Sequence, residues 1–241
     1  MDFPQTLRAT RQRRHLSQLD LALRAGTTQR HLSFMESGRS RPGRTMVVRL
    51  GESMELPLRE RNELLLSAGY APVYPQTSLD DPSLEHVRAA LGRILAGHLP
   101  YPAIVVDARH DLVLANDAFG LLTEGVAEHL LRPPVNVLRL SLHPEGMAPR
   151  IVNLAQWAQH ILDRIPHDDL YDELSGYVPH VAPGPDHVGF AVPVRLRSTL
   201  GELRLTTTIT TFATALDVTV AELKLEAFLP ADTATAALLA G

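Results

Sequence analysis

The stretch from Ser17 to Gly38 leaves this chain the least freedom. Ser17 is a good helix N-cap, because its hydroxyl can accept one of the N–H groups that a first helical turn leaves open. Gly26 falls where a tight turn needs a backbone without a Cβ, so a helix begun after Ser17 stops near Ala25-Gly26. Thr27 or Thr28 then caps a second helix that runs to Ser37-Gly38. Ala22 is small where the two helices must cross closely. In the second helix Thr28, Leu32 and Met35 recur at spacings of four and three and share a face that can pack, while Gln29, Arg30, Ser33 and Phe34 share the opposite face. So short a pair cannot bury a core alone. The flanking pattern supplies the rest, with helices over about Gln5–Arg14 and Thr45–Met54 and a fifth from Pro57, tolerated in a first turn, to Ala68-Gly69.

The polar face of the second helix has the chemistry to read a nucleic-acid groove. Gln can bond an adenine edge bidentately and Arg a guanine edge, Ser can bond a base or a phosphate, and Phe can cover a thymine methyl. Arg39, Arg41 and Arg44, around Pro42 and Gly43, follow the helix and suit phosphates. Ten Arg against Asp2, Asp20 and Glu36 leave residues 1–50 at +7 in a chain whose net charge is −4. On charge alone, a polyanion partner and an ordinary solvated surface stand equal. Arg13, Arg14 and Arg49 read as solvated surface, and Phe34 reads either as a base contact or as half-buried packing. With these residues in place, residues 6–69 resemble the lambda-repressor-like (XRE) helix-turn-helix family, and LSQLDLALRAGTTQRHLSFMESGRSRP carries the match. The resemblance implies that Gln18 touches a phosphate, that Gln29, Arg30, Ser33 and Phe34 face bases, and that Arg11 and Glu36 form a buried structural ion pair. The DNA-facing set is then Gln18, Thr28, Gln29, Arg30, Ser33, Phe34, Arg39, Arg41 and Arg44. The expected partner is a double-stranded DNA operator, read by a homodimer because such motifs engage paired half-sites.

Gly69-Tyr70-Ala71-Pro72-Val73-Tyr74-Pro75 cannot be helix and marks a boundary. The expected division is a DNA-binding domain at 1–72, a linker and connecting helix at 73–100 with its amphipathic part over Asp81–Gly97, and a second domain at 101–241. In that domain Ala103–Asp107 and Leu112–Ala115 read as a hairpin about a turn at Asp107–Asp111, followed by a helix capped at Asn116 or Asp117. Arg139 alternates with Leu138 and Leu140 as in a strand. Ile151–Ile165 reads as a helix, Val188–Leu196 and Leu203–Phe212 as strands, and Asp217–Leu229 ends in either a strand or a short helix. The whole is multi-domain: an all-α five-helix domain, then an α+β domain with helices on one side of an antiparallel sheet.

Residues 27–72, together with PPVNVLRLSLHPEGMAPRIVNLAQW (Pro133–Trp157) and TFATALDVTVAELKLEAFLPAD (Thr211–Asp232), resemble regulators whose second domain is the MmyB-like ligand-binding domain. The resemblance implies a PAS-like fold and a small apolar, fatty-acid-like ligand. Val105, Leu112, Leu114, Phe119, Leu122, Leu138, Leu140, Leu142, Ile151, Leu154, Trp157, Ile161, Phe190, Val192 and Phe212 either line such a pocket or fill the core. Asn136, Arg139, His143 and Arg150 are its candidate polar contacts. Arg139 in an apolar cavity would suit a carboxylate, since that charge-assisted pair is strong. Its other reading is a structural salt bridge. Asn116 reads as a helix cap.

Other classes find less support. The chain has no Cys, hence neither disulfides nor thiolate metal sites, which fits a cytoplasmic protein. Neither a signal-peptide pattern nor an apolar run of membrane-spanning length occurs, so no membrane partner is expected. His143, His160, His167, His180 and His187 have irregular spacings, and there is no His-Glu-x-x-His, P-loop or Gly-x-Ser-x-Gly motif. No metal, required cofactor or catalysis is therefore expected, with a bound fatty acid as the one candidate ligand. The competing reading is an antitoxin-like or enzymatic second domain whose helix-turn-helix serves autoregulation.

Overall fold

The computed structural model describes residues 2–178 and 192–241. They form two compact bodies, one of Met1–Ser78 with Phe212–Ala221, the other of Leu79–Thr211 with Glu222–Gly241.

The first body holds five helices: α1 (Phe3–Arg13), α2 (Gln18–Arg24), α3 (Gln29–Glu36), α4 (Arg44–Ser53) and α5 (Leu58–Ser67). Their ends follow from side-chain chemistry. Ser17 accepts from the Asp20 N–H while the Asp20 carboxylate accepts from the Ser17 N–H, a reciprocal cap that starts α2. Gly26 then takes φ +60°, a conformation that costs an L side chain energy, and the chain turns into α3. Leu7, Leu21, Leu32, Met35, Leu50 and Leu65 are fully buried in one core, and Ala22 is buried with them. Thr28 does not join Leu32 and Met35 on the packing face. It is exposed, and its hydroxyl accepts from the His31 N–H as the cap of α3.

The second body begins with a helix, α6 (Glu85–Gly97), which the sequence reading assigned to the linker. A hairpin follows, β1 (Ala103–Val106) and β2 (Leu112–Ala115), then α7 (Gly120–Thr123), α8 (Val137–Leu142), α9 (Leu154–Leu162) and α10 (Asp169–Tyr177). The chain closes with β3 (Val194–Ser198), β4 (Gly201–Thr211), the short α11 (Val218–Glu222), β5 (Lys224–Pro230) and α12 (Thr233–Ala240). The sheet is antiparallel throughout, in the order β2-β1-β5-β4-β3, which makes this an α+β, PAS-like domain. Ile104 on β1 and Ile209 on β4 flank Glu226 on β5, and Thr207 faces Phe228. Side chains two apart share a sheet face, so Lys224, Glu226 and Phe228 point the same way.

Several expectations need correcting. Residues 137–142 are helix, not strand: Leu138-Arg139-Leu140 alternates as a strand would, but the Asn136 side chain accepts from the Arg139 N–H and caps α8. The helix expected over Ile151–Ile165 is shorter, because Ile151 bridges to Leu196 and the Val152 N–H bonds Arg195. Asp217–Leu229 holds both a helix and a strand. Asn116 stands before a 3-10 turn, yet its side chain does not cap it. Its oxygen accepts from the Ala103 N–H and its amide donates to the carbonyls of Leu95 and Tyr101. Helices α10 and α12, capped by Asp168 and Asp232, were not foreseen. Residues 188–191 of the strand expected at Val188–Leu196, with His180, His187 and Phe190, lie outside the described residues.

The stretch between β4 and β5 belongs to the first body. There the Thr77 N–H donates to Asp217 Oδ2 at 3.0 Å, and the Val218 N–H to the Pro75 carbonyl at 2.8 Å.

Candidate functional site

In the first body the exposed side of α3 is the candidate nucleic-acid interface. Gln29 and Arg30 are exposed in its first turn, Ser33 and Phe34 are half-buried one turn on, and Leu32 and Met35 anchor the helix from behind. Phe34 carries two cations: the Arg30 guanidinium stands 5.3 Å and that of Arg39 5.9 Å from its ring centre. The ring therefore aims two arginines at one surface, a cation–π role that neither sequence reading gave it. Arg39, Arg41 and Arg44 are exposed, and Arg44 opens α4, whose first N–H groups have no side-chain cap. Open N–H groups with a guanidinium beside them suit a phosphate.

Beneath this surface Arg11 and Glu36 are joined by two hydrogen bonds, of 2.6 and 3.0 Å, with side chains only 10% and 4% exposed. Gln18 donates one amide N–H to the same carboxylate at 2.8 Å, which leaves its second N–H. Arg13 pairs with Glu60, and Arg49 reaches the Ala25 carbonyl.

In the second body a cavity of about 160 Å³ lies between the sheet and the helices over it. Its apolar wall includes Ile104, Phe119, Leu122, Leu140, Met147, Trp157, Ile161, Ile165 and Phe228, with Val137 and Leu138 beside them. Its polar groups, besides Ser141, are His110, His160, Arg164, Thr207, Lys224 and Glu226. Register orders them: Lys224 faces Val106 and Thr211 at the end of the sheet where β5 begins, Glu226 is two residues further along, and Thr207 faces Phe228 two residues beyond that. Burial, more than the nearby Lys224 and Arg164, pushes the His110 imidazole below its usual pKa, and it pushes the Glu226 carboxyl up, against the pull of the same two cations. Among the described residues three buried side-chain polar atoms have no hydrogen-bond partner. Two of them, His110 Nδ1 and Thr207 Oγ1, belong to residues that line this cavity.

The structure regroups the expected ligand residues. Leu138 and Trp157 line the cavity, with the indole N–H held by Ser141 Oγ at 2.9 Å. Leu154 packs against the core outside the lining, and Phe212 falls in the first body. Arg139 makes a bidentate pair with Glu173, Nη2–Oε2 2.7 Å, and the Tyr177 hydroxyl adds a third bond to that carboxylate. The Arg139 hydrogen bond, more than any other contact, lowers the Glu173 pKa to about 2. Of the two readings of Arg139, the salt bridge is the one present. Asn136 and Arg139 line a separate recess of about 430 Å³ that shares His110 and Ile165 with the cavity. Arg150 donates to the carbonyls of Leu121, Leu122 and Arg197 beside Glu124, stitching chain segments together. His143 Nδ1 accepts the Glu145 N–H, and its ring meets Tyr177 edge-on. His129, His143 and Glu145 offer ligand atoms within 4.8 Å of one another, but that bond engages one nitrogen of His143, and His129 and Glu145 are exposed.

Sequence reasoning missed His110, Thr207, Lys224 and Glu226. The signal was the alternation Lys224-x-Glu226-x-Phe228, legible only once that run is assigned to a strand with its facing side inward.

A helix-turn-helix body with an arginine-bearing surface and a sheet-and-helix body with an internal cavity are the two parts that define the class, a helix-turn-helix regulator with a ligand-binding domain. A helix-turn-helix profile matches residues 7–61, and the MmyB-like transcription regulator ligand binding domain matches residues 87–240. The chain belongs to the MmyB-like transcription regulators, a regulatory rather than a catalytic family. No curated protein matches it. One similar solved structure is titled as an RNA-binding light-oxygen-voltage receptor: 15% identity and a TM-score of 0.29, over 98% of this chain and 61% of the other. The chain thus spans less than two thirds of that structure's length, and so distant a likeness carries no argument. No helix among the described residues is long and apolar enough to cross a membrane.

Proposed function

We propose that α3 reads a specific operator in the major groove of double-stranded DNA, that two copies do so together on paired half-sites, and that the cavity takes a fatty-acid-like molecule whose presence changes DNA affinity. Gln29 and Arg30 would read base edges, with Ser33 beside them. Arg39, Arg41 and Arg44, with the second N–H of Gln18, would hold phosphates. The observation that carries the DNA reading is the placing of the Arg30 and Arg39 guanidiniums against the Phe34 ring, on a helix whose inner residues Leu32 and Met35 are fully buried. The ligand reading rests on a mostly apolar cavity with two cations, Arg164 and Lys224, among its polar groups. A ligand acts only through different affinities for two conformations of the regulator.

Site selection from random duplexes tests the first part. Arg30→Ala should relax the consensus at one position, and an unchanged consensus would remove Arg30 from base reading. Denaturing extraction of the purified protein followed by mass spectrometry tests the second. A stoichiometric fatty acid supports it, and failure of added fatty acids to bind the native, ligand-free protein overturns it.

A further inference from the structure

The cavity holds more polar chemistry than a plain alkyl chain can use. An unsatisfied buried polar group is rare in a folded protein and calls for a partner. Here His110 Nδ1 and Thr207 Oγ1 are both buried without one, and both residues line the same cavity. They do not belong to one spot. His110 lies in the electrostatic reach of Lys224 and Arg164. Thr207 faces Phe228, four residues along β5 from Lys224, or roughly 13 Å at the rise of a strand. Between them Glu226 sits on the same sheet face, flanked by Ile104 and Ile209. One headgroup at the cationic end cannot satisfy an oxygen that far down the sheet.

We propose that the ligand is an amphipathic acid bearing a second hydrogen-bonding group, a hydroxyl, partway along its chain: the acid lies by His110, Lys224 and Arg164, and the hydroxyl meets Thr207. This rests on the ligand reading above and narrows it. The apolar remainder lies against Leu140, Trp157 and Phe228. Glu226, which burial biases toward its protonated form, tolerates an anionic neighbour better than an ionised carboxylate would. A site built around a hydroxyl discriminates against the analogue lacking it, because its own polar group is then left unpaired.

The test is a titration of the full chain with a set of monohydroxy isomers of one saturated fatty acid, with the unsubstituted acid as reference. At least one isomer should bind roughly tenfold or more tighter than the reference, the scale of one buried hydrogen bond. Thr207→Val keeps the side-chain shape and should bring that ratio to about one without weakening the unsubstituted acid, while Thr207→Ser should keep the preference. If the unsubstituted acid binds the wild type as tightly as every isomer, or if the preference survives in Thr207→Val, the hydroxyl assignment fails and the simple fatty-acid reading stands. If no acid of either kind binds, both fail together.

Discussion

Replacing Glu36 by Ala would leave the Arg11 guanidinium buried without its counter-charge, and the strain should be large for a single change. Breaking a buried pair from one side destabilises by about 3–5 kcal/mol. A thermal melt of Glu36→Ala should therefore drop well below that of the wild type, and a melt within the error of wild type would mean the pair contributes little. Two carboxylates predict opposite pH behaviour. The Arg139 pair depresses the Glu173 carboxyl to about 2, so its stabilisation is complete above the unfolded pKa of about 4.3 and is lost as pH falls toward 2. Because this side chain is part exposed, solvent screens the effect. Glu173→Gln should flatten the acid limb of a stability–pH curve. Burial raises the Glu226 carboxyl against the opposing pull of Lys224 and Arg164, so its contribution is largest at low pH and fades as pH rises through the folded value. Glu226→Gln should raise the melting temperature at neutral pH, and a lowered one would show that the ionised carboxylate is held by its cations instead.

At the scale of the element, Asn136 joins two pieces of structure. Its oxygen caps α8, and its amide donates to the Arg109 carbonyl and to Asp111 Oδ1 in the β1–β2 turn. Loss of an ordinary N-cap costs about 1 kcal/mol. Asn136→Ala should exceed that, and in hydrogen exchange the turn and the start of α8 should lose protection together. Protection lost in α8 alone would limit Asn136 to the cap. The same residue shows why the two halves of the chain differed in legibility. Ser17, Gly26 and Gly38 act on their own neighbours, so the helices they bound could be read from sequence, and so could the Arg11–Glu36 pair by family likeness. Around α8 the local signal misled: the alternation Leu138-Arg139-Leu140 suits a strand, and only a cap reaching across to another turn settles a helix. The cavity's polar groups come from the β1–β2 turn, α9 with the residues just past it, β4 and β5, segments far apart in sequence. Nothing local marks Thr207 or Glu226 as inward-facing until the order β1-β5-β4 is known.

For the whole molecule, binding and stability are linked by mass action. An acid at a hundred times its dissociation constant should stabilise the protein by about 2.7 kcal/mol, read as a concentration-dependent rise in melting temperature. If the proposed pairing of copies is right, a footprint should show two half-sites about 34–36 Å apart or a multiple of that. Arg41→Ala should weaken binding to all sequences alike and lower the salt slope by about one, whereas Gln29→Ala should change sequence preference. A change of preference in Arg41→Ala would move that residue from phosphate to base. The hydrogen bonds from Thr77 to Asp217 and from Val218 to Pro75 bear on engineering and on descent alike. The helix-turn-helix body is written in two places along the chain, so it is no detachable cassette. Exchanging sensors between relatives means carrying Phe212–Ala221 along with the amino-terminal stretch, and inheritance must keep those two passages matched.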